Sequence, residues 1–128
     1  MRTPIRYRVT NLTRKTILGE KIHRADPFAA RFKGLLGKRS LASGEGLIIS
    51  PCNSVHTFFM AIPIDVIFLD AENRVLHIDG SLAPWRMSRL HLSATSVIEL
   101  PAQMARATAT DLNDQLRIEP STLLANEI

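Results

Sequence analysis

The stretch IPIDVIFLDAENRVLHID, residues 62–79, decides the fold class. Pro63 interrupts the chain, and residues 64–69 then run apolar on both faces apart from Asp65. A strand without polar alternation is buried on both sides, so it lies in the middle of a sheet. Ala71, Glu72 and Asn73 make a turn between Asp70 and Arg74, so 64–69 and 74–79 pair as a hairpin.

Working outward, the N-terminal side supplies more β signal. Residues 5–10 alternate Ile5, Tyr7 and Val9 with Arg6 and Arg8, the pattern of a half-buried strand. NLTRK (11–15) reads as a turn and 16–24 as a weaker returning strand. Residues 27–36 read as a short amphipathic helix. Asp26 caps it, Pro27 opens it, Gly37 closes it, and Phe28, Phe32, Leu35 and Leu36 share one face. GLIIS (46–50) is a buried strand, and VHTFFM (55–60) reads as another after Pro51. On the C-terminal side, 81–94 reads as a long loop and TSVIEL (95–100) as a strand. PAQMARATA (101–109) reads as a short helix and DQLRIE (114–119) as a last strand. The expected architecture is a single domain over 1–128. It is mainly β, a jelly-roll-like sandwich or a barrel-like core, with one or two short helices. Residues 120–128 are expected to fray.

Charge is unevenly spread. Residues 1–40 hold eleven Lys/Arg against Glu20 and Asp26, a balance of +9, whereas residues 41–128 sum to −5. The basic third suits an acidic protein partner or, more plainly, a strand pair kept soluble by alternating charge. Nucleic acid is not expected, because exposed aromatics for base stacking are missing from that third. No window is apolar enough for a membrane span, and no apolar stretch follows the first arginines, so a cytoplasmic location is expected by default. A single cysteine rules out an internal disulfide.

An ordered set of segments carries a family likeness: GLLGKRSL (34–41), EGLII (45–49), CNSVHTFFMAIPIDVIFLD (52–70), RVL (74–76), PWR (84–86) and VIELP (97–101). Over about residues 30–119 the chain resembles the bacterial and archaeal "domain of unknown function 192" family. The likeness is to members with a CxxVHTxxM…IDVxFLD pattern. It implies a compact, mostly β domain with a jelly-roll-like core and no established activity. Many members carry a glycine where this chain has Gln103, and a Gly-Asp turn where it has Asn113-Asp114. Asparagine tolerates the left-handed conformation such a turn needs.

Several polar residues could carry chemistry. Cys52 and His56 could form an activated thiolate pair, with Asp65 as orienting group. On an extended strand, however, the two lie about 13 Å apart, and a buried cysteine beside a satisfied histidine is the plainer reading. Asp65 and Glu99, both set among apolar neighbours, could serve as general acid and base, or as two structural pairs with Arg86 or Arg89. Zinc needs three or four ligands. Cys52 and His56 offer two, while His77, His91, Asp65 and Asp79 stand at uninformative spacings. No metal or other cofactor is therefore expected. The PWR loop is the better binding candidate, because Trp85 beside Arg86 suits a sugar ring or an anion, while the plainer reading is a tryptophan folded back to plug one end of the sandwich with Arg86 stacked over it. The reading is a non-catalytic binding or accessory module for a small anionic or carbohydrate-like ligand, lined by His56, Thr57, Asp65, Trp85 and Arg86. The alternatives are an enzyme using Cys52/His56 or Asp65/Glu99, and an interaction domain using the basic N-terminal third.

Overall fold

The computed structural model describes residues 5–26, 41–57 and 60–121. The helix expected at 27–36 lies outside them, as do residues 58–59 of the expected VHTFFM strand. Among the described residues, seven strands form one sheet: β1 (Tyr7–Asn11), β2 (Thr16–Ala25), β3 (Glu45–Ile49), β4 (Ile64–Leu69), β5 (Val75–Leu82), β6 (Ser96–Pro101) and β7 (Leu116–Pro120). Their spatial order is β5-β4-β6-β3-β2-β1-β7. Every neighbouring pair is antiparallel except β2 and β3, which run parallel from Lys21↔Glu45 to Ala25↔Ile49.

β4 lies between β5 and β6, and all six of its residues are buried. Both faces of the sheet are covered there, which explains its unbroken apolar run. Asp70 builds the β4–β5 turn. One carboxylate oxygen accepts the N–H groups of Glu72 and Arg74, both at 2.9 Å, and Asn73 takes the left-handed conformation at φ 63°.

The sheet is curled like half a barrel. Its two edges meet at one end, where Arg74 and Gln115 form an isolated bridge. The Val75 N–H donates to the Asp114 carbonyl (2.9 Å), and the Leu116 N–H to the Asn73 carbonyl (3.0 Å). All seven strands feed the apolar cluster on one face, among them Val9, Leu18, Ile22, Ile48, Ile67, Val75, Leu100 and Leu116. A second cluster, with Ile49, Ile64, Val66, Phe68 and Val97, forms on the other face and is closed by Val55 and Ala94 from loops. Fully burying side chains of this size is worth about 1.5–3 kcal/mol each, so the two clusters dominate the favourable side of folding.

Three expectations change. The helix expected at 101–109 shrinks to α1 (Met104–Ala107). Within residues 55–57 the chain forms only an isolated bridge, His56↔Met87, because it pairs with the 84–92 loop instead of joining the sheet. β5 runs on to Leu82, into the stretch expected to be loop. At the C-terminus Pro120 pairs with Tyr7 and the Ser121 N–H donates to the Arg6 carbonyl (2.8 Å), and the rest of the tail expected to fray, 122–128, lies outside the described residues.

Candidate functional site

Two loops, 50–57 and 83–95, pair with one another over the second apolar cluster. The Cys52 N–H donates to the Thr95 carbonyl (3.1 Å), the His91 N–H to the Asn53 carbonyl (2.9 Å), and the Ser88 N–H to the Val55 carbonyl (2.8 Å). Thr57 is the deepest peg of this layer and is fully buried. Its hydroxyl donates to the Ala83 carbonyl (2.6 Å) and accepts the Arg86 N–H (2.9 Å). Its own N–H donates to the Arg86 carbonyl (2.8 Å), and its carbonyl accepts the Trp85 N–H (3.0 Å). One threonine thereby fixes the PWR turn, in which Trp85 sits at φ 62° and stays 60% exposed. Arg86, Met87, Arg89, Leu90 and Leu92 are exposed beside it. Thr57, Trp85 and Arg86 are thus brought together, and His56 adjoins them through its bridge to Met87.

Asp65 does not join them as a wall of the same loop cluster. Its strand neighbour Val66 faces the second cluster, so Asp65 faces the opposite side with Ile67 and Leu69. It is 1% exposed, and its oxygens accept three backbone N–H groups: Ser81 (2.8 Å), Gln103 (3.1 Å) and Ala105 (2.8 Å). This carboxylate organises α1 and the bend before it through backbone donors and not through Arg86 or Arg89, one of the alternatives the sequence left open. Gln103 adopts φ 76° despite its side chain, whose Nε2 donates to the Ser81 Oγ at 2.8 Å. A groove of about 470 Å³ opens above, lined by Asp65, Ser81, Gln103, Arg106 and Thr110. The Asp65 oxygens at its floor are already occupied by the backbone.

Glu99 faces the other way. It stands opposite Val66 and Leu47, on the side of the second cluster, so the sheet itself separates it from Asp65. Among the described residues no hydrogen bond or ion pair reaches its carboxylate, and burial pushes its pKa to about 7. Cys52 lies nearby. Burial holds its thiol above the usual cysteine range and the Glu99 charge adds to that, while the Sγ donates to the Ser54 carbonyl at 3.0 Å. That environment keeps a thiol, whereas nucleophilic catalysis needs a thiolate.

The sequence offered His77, Asp79 and His91 only as scattered possible zinc ligands, and the structure brings the three together. His77 and Asp79 share a face of β5, and the His77 Nε2 lies 2.8 Å from an Asp79 carboxylate oxygen. His91, from the covering loop, stacks on His77 with ring centres 4.4 Å apart and planes 26° apart. Phe68 floors both rings, at 5.8 Å from His77 and 4.3 Å from His91. Burial, and then the neighbouring His77, lower the His91 pKa, which keeps that imidazole neutral. The i, i+2 spacing of His77 and Asp79 on a strand was the available signal. The arrival of His91 depended on a loop path that no spacing reveals.

The family model described as "Uncharacterized ACR", the domain of unknown function 192, matches residues 9–118. The chain belongs to this family. It is similar to the UPF0127 proteins of two archaea. That of Pyrococcus abyssi is 33% identical over 102 residues, covering 75% of this chain and 84% of the relative. That of Thermococcus kodakarensis is 28% identical over 117 residues, covering 88% and 74%. Two solved structures share the fold, each with a TM-score of 0.71. A protein of unknown function from Novosphingobium aromaticivorans is 21% identical, covering 88% of this chain and 84% of its own. A putative transcription regulator from Sinorhizobium meliloti is 17% identical, covering 94% and 98%.

Of the six Lys/Arg among the described residues of the N-terminal third, three meet partners inside the chain. Arg8 pairs with Glu20 (3.5 Å) and Glu119 (4.0 Å), Arg14 with Asp114 (3.0 Å), and Arg24 lies 5.0 Å over the Tyr7 ring. Among the described residues no helix is long and apolar enough to cross a membrane.

Proposed function

We propose that this chain is a non-catalytic binding module whose ligand, anionic or carbohydrate-like, docks on the Trp85–Arg86 turn. One observation carries the reading: a fully buried threonine uses four hydrogen bonds to hold a loop whose product is an exposed tryptophan beside an exposed arginine. An indole is costly to leave in water, and a rigid turn presents it without an ordering cost at binding. A neighbouring guanidinium supplies a planar fork for carboxylate, phosphate or sugar hydroxyls. His56 and Thr57 support the turn from behind.

Trp85 is the chain's only tryptophan, so its emission reports directly on the site. Titration with oligosaccharides and with phosphorylated or carboxylated small molecules is expected to shift or quench it saturably. Trp85→Phe and Arg86→Ala are each expected to weaken that binding at least tenfold. Unchanged emission and unchanged melting temperature across such a panel would end this reading.

The catalytic alternative is favoured by one observation, the Glu99 carboxyl with a pKa of about 7, suited to proton transfer at neutral pH. It predicts an activity against some substrate class that Glu99→Gln abolishes while the fold and Trp85 binding persist.

A further inference from the structure

We propose that His77, Asp79 and His91 form a binding site for one first-row divalent metal ion, of which zinc is the natural probe. Each residue offers one ligand atom, and these atoms lie within 4.8 Å of one another. Two imidazoles and one carboxylate make a donor set that zinc and its first-row neighbours accept.

The geometry is close to chelation already. With metal–ligand bonds near 2.0–2.2 Å, adjacent ligands of one ion stand about 3 Å apart. The His77 Nε2 and the Asp79 oxygen are separated by 2.8 Å, so a cation can replace the proton they share. Bringing His91 into the same sphere requires its ring to approach by about 1–2 Å, within reach of a χ adjustment. Its backbone is held in place for that approach: the His91 N–H donates to the Asn53 carbonyl (2.9 Å), and its own carbonyl accepts the Ala94 N–H (2.9 Å).

A second, independent observation points to a ligand. The His91 Nε2 is buried and, among the described residues, has no hydrogen-bond partner. A buried ring nitrogen left unmatched is costly, so such an atom calls for an explanation. The remainder of the cluster would need none, since His77–Asp79 is an ordinary hydrogen-bonded pair and the Phe68 floor ordinary packing. That floor would also hold both rings in place around a metal, the part that surroundings play at metal centres. Half-buried positions at all three ligands leave at least one coordination position for water or for a ligand group. The site lies on the β5 edge strand under the covering loop and does not depend on the Trp85 reading.

The test uses the full chain stripped with a chelator and titrated with zinc chloride, followed by calorimetry and by imidazole ¹⁵N NMR. The expected result is saturable binding of one equivalent, with the His77 and His91 ring signals shifting together. His77→Ala and Asp79→Asn are expected to weaken binding at least tenfold, whereas Cys52→Ser and His56→Ala leave it unchanged. The NMR arm needs no substitution, so the proposal stays testable even where a variant fails to fold. Zinc that saturates the chain without moving those two imidazoles, or no saturable binding below about 1 mM, would overturn the proposal.

Discussion

Asp65 and Glu99 sit on adjacent strands, and their surroundings differ. Asp65 meets three backbone N–H groups, while Glu99 meets none among the described residues and has a pKa near 7. Sequence showed two acids among apolar residues and could not distinguish them. What distinguishes them is where the 80–82 and 101–105 backbone turns back, which is a matter of tertiary path. For Glu99 the pKa is higher in the folded than in the unfolded chain, rising from 4.5 to about 7. Folding therefore takes up a proton between those values, and stability falls as pH rises through them. At 1.36 kcal/mol per pH unit the cost above pH 7 is at most about 3 kcal/mol. Glu99→Gln is expected to recover much of it at pH 8 and almost none at pH 4, read from urea midpoints at both pH values. Cys52 gives a second residue-scale test. Its raised pKa predicts alkylation by iodoacetamide at pH 7.5 several-fold slower than for free cysteine, with full reactivity only in denaturant.

At the scale of elements, the sheet was largely legible and the layer above it was not. β1, β3, β4, β6 and β7 follow patterns of alternation or continuous apolarity that any half-buried or buried strand must show. The segment at 55–57 misled because Val55 and Thr57 are buried while His56 is only part-buried, the same alternation a strand gives. The partner is a loop, and no local pattern shows which backbone will pair. Gln103 is a further case, since a long side chain rarely takes the left-handed conformation. Asp65 and Ser81 fix it from both backbone and side chain. Thr57→Val tests the layer itself. Valine keeps the shape but leaves the Ala83 carbonyl and Arg86 N–H without their partner, at a cost of about 1–3 kcal/mol. The melting temperature should drop, and Trp85 emission anisotropy should fall at temperatures where the chain remains folded. A stable variant with unchanged anisotropy would mean that the PWR turn holds itself.

For the whole molecule, the decisive feature is the closure where the two sheet edges meet, and Asp114 stands at it. Its carboxylate accepts from the Asn11 amide (2.9 Å), the Arg14 Nε (3.0 Å) and the Asp111 N–H (2.9 Å), and its carbonyl accepts from Val75. Asn11 and Arg14 reach it from about a hundred residues away in sequence, so this closure is nearly invisible in the sequence. Only Asn113, at φ 68°, was readable as a left-handed turn residue. Burial works to raise the Asp114 pKa, but the Asn11 and Arg14 hydrogen bonds outweigh it and hold the carboxyl below its ordinary 3.8. A depressed folded pKa stabilises above the unfolded value and loses that stabilisation as pH falls through the folded one. Asp114 and Glu99 therefore act in opposite directions, one weakening the fold below about pH 4 and the other weakening it above about pH 5. Taken by themselves, these two groups favour the fold most between those limits. Asp114→Asn is expected to cost about 2–4 kcal/mol at pH 5 and to flatten the acid limb, while Glu99→Gln flattens the neutral limb. A series of denaturant midpoints from about pH 2.5 to 8 for the unsubstituted chain and both variants reads the two limbs separately. If Asp114→Asn leaves the acid limb as steep as before, other carboxylates hold the closure and Asp114 is only one acceptor among them.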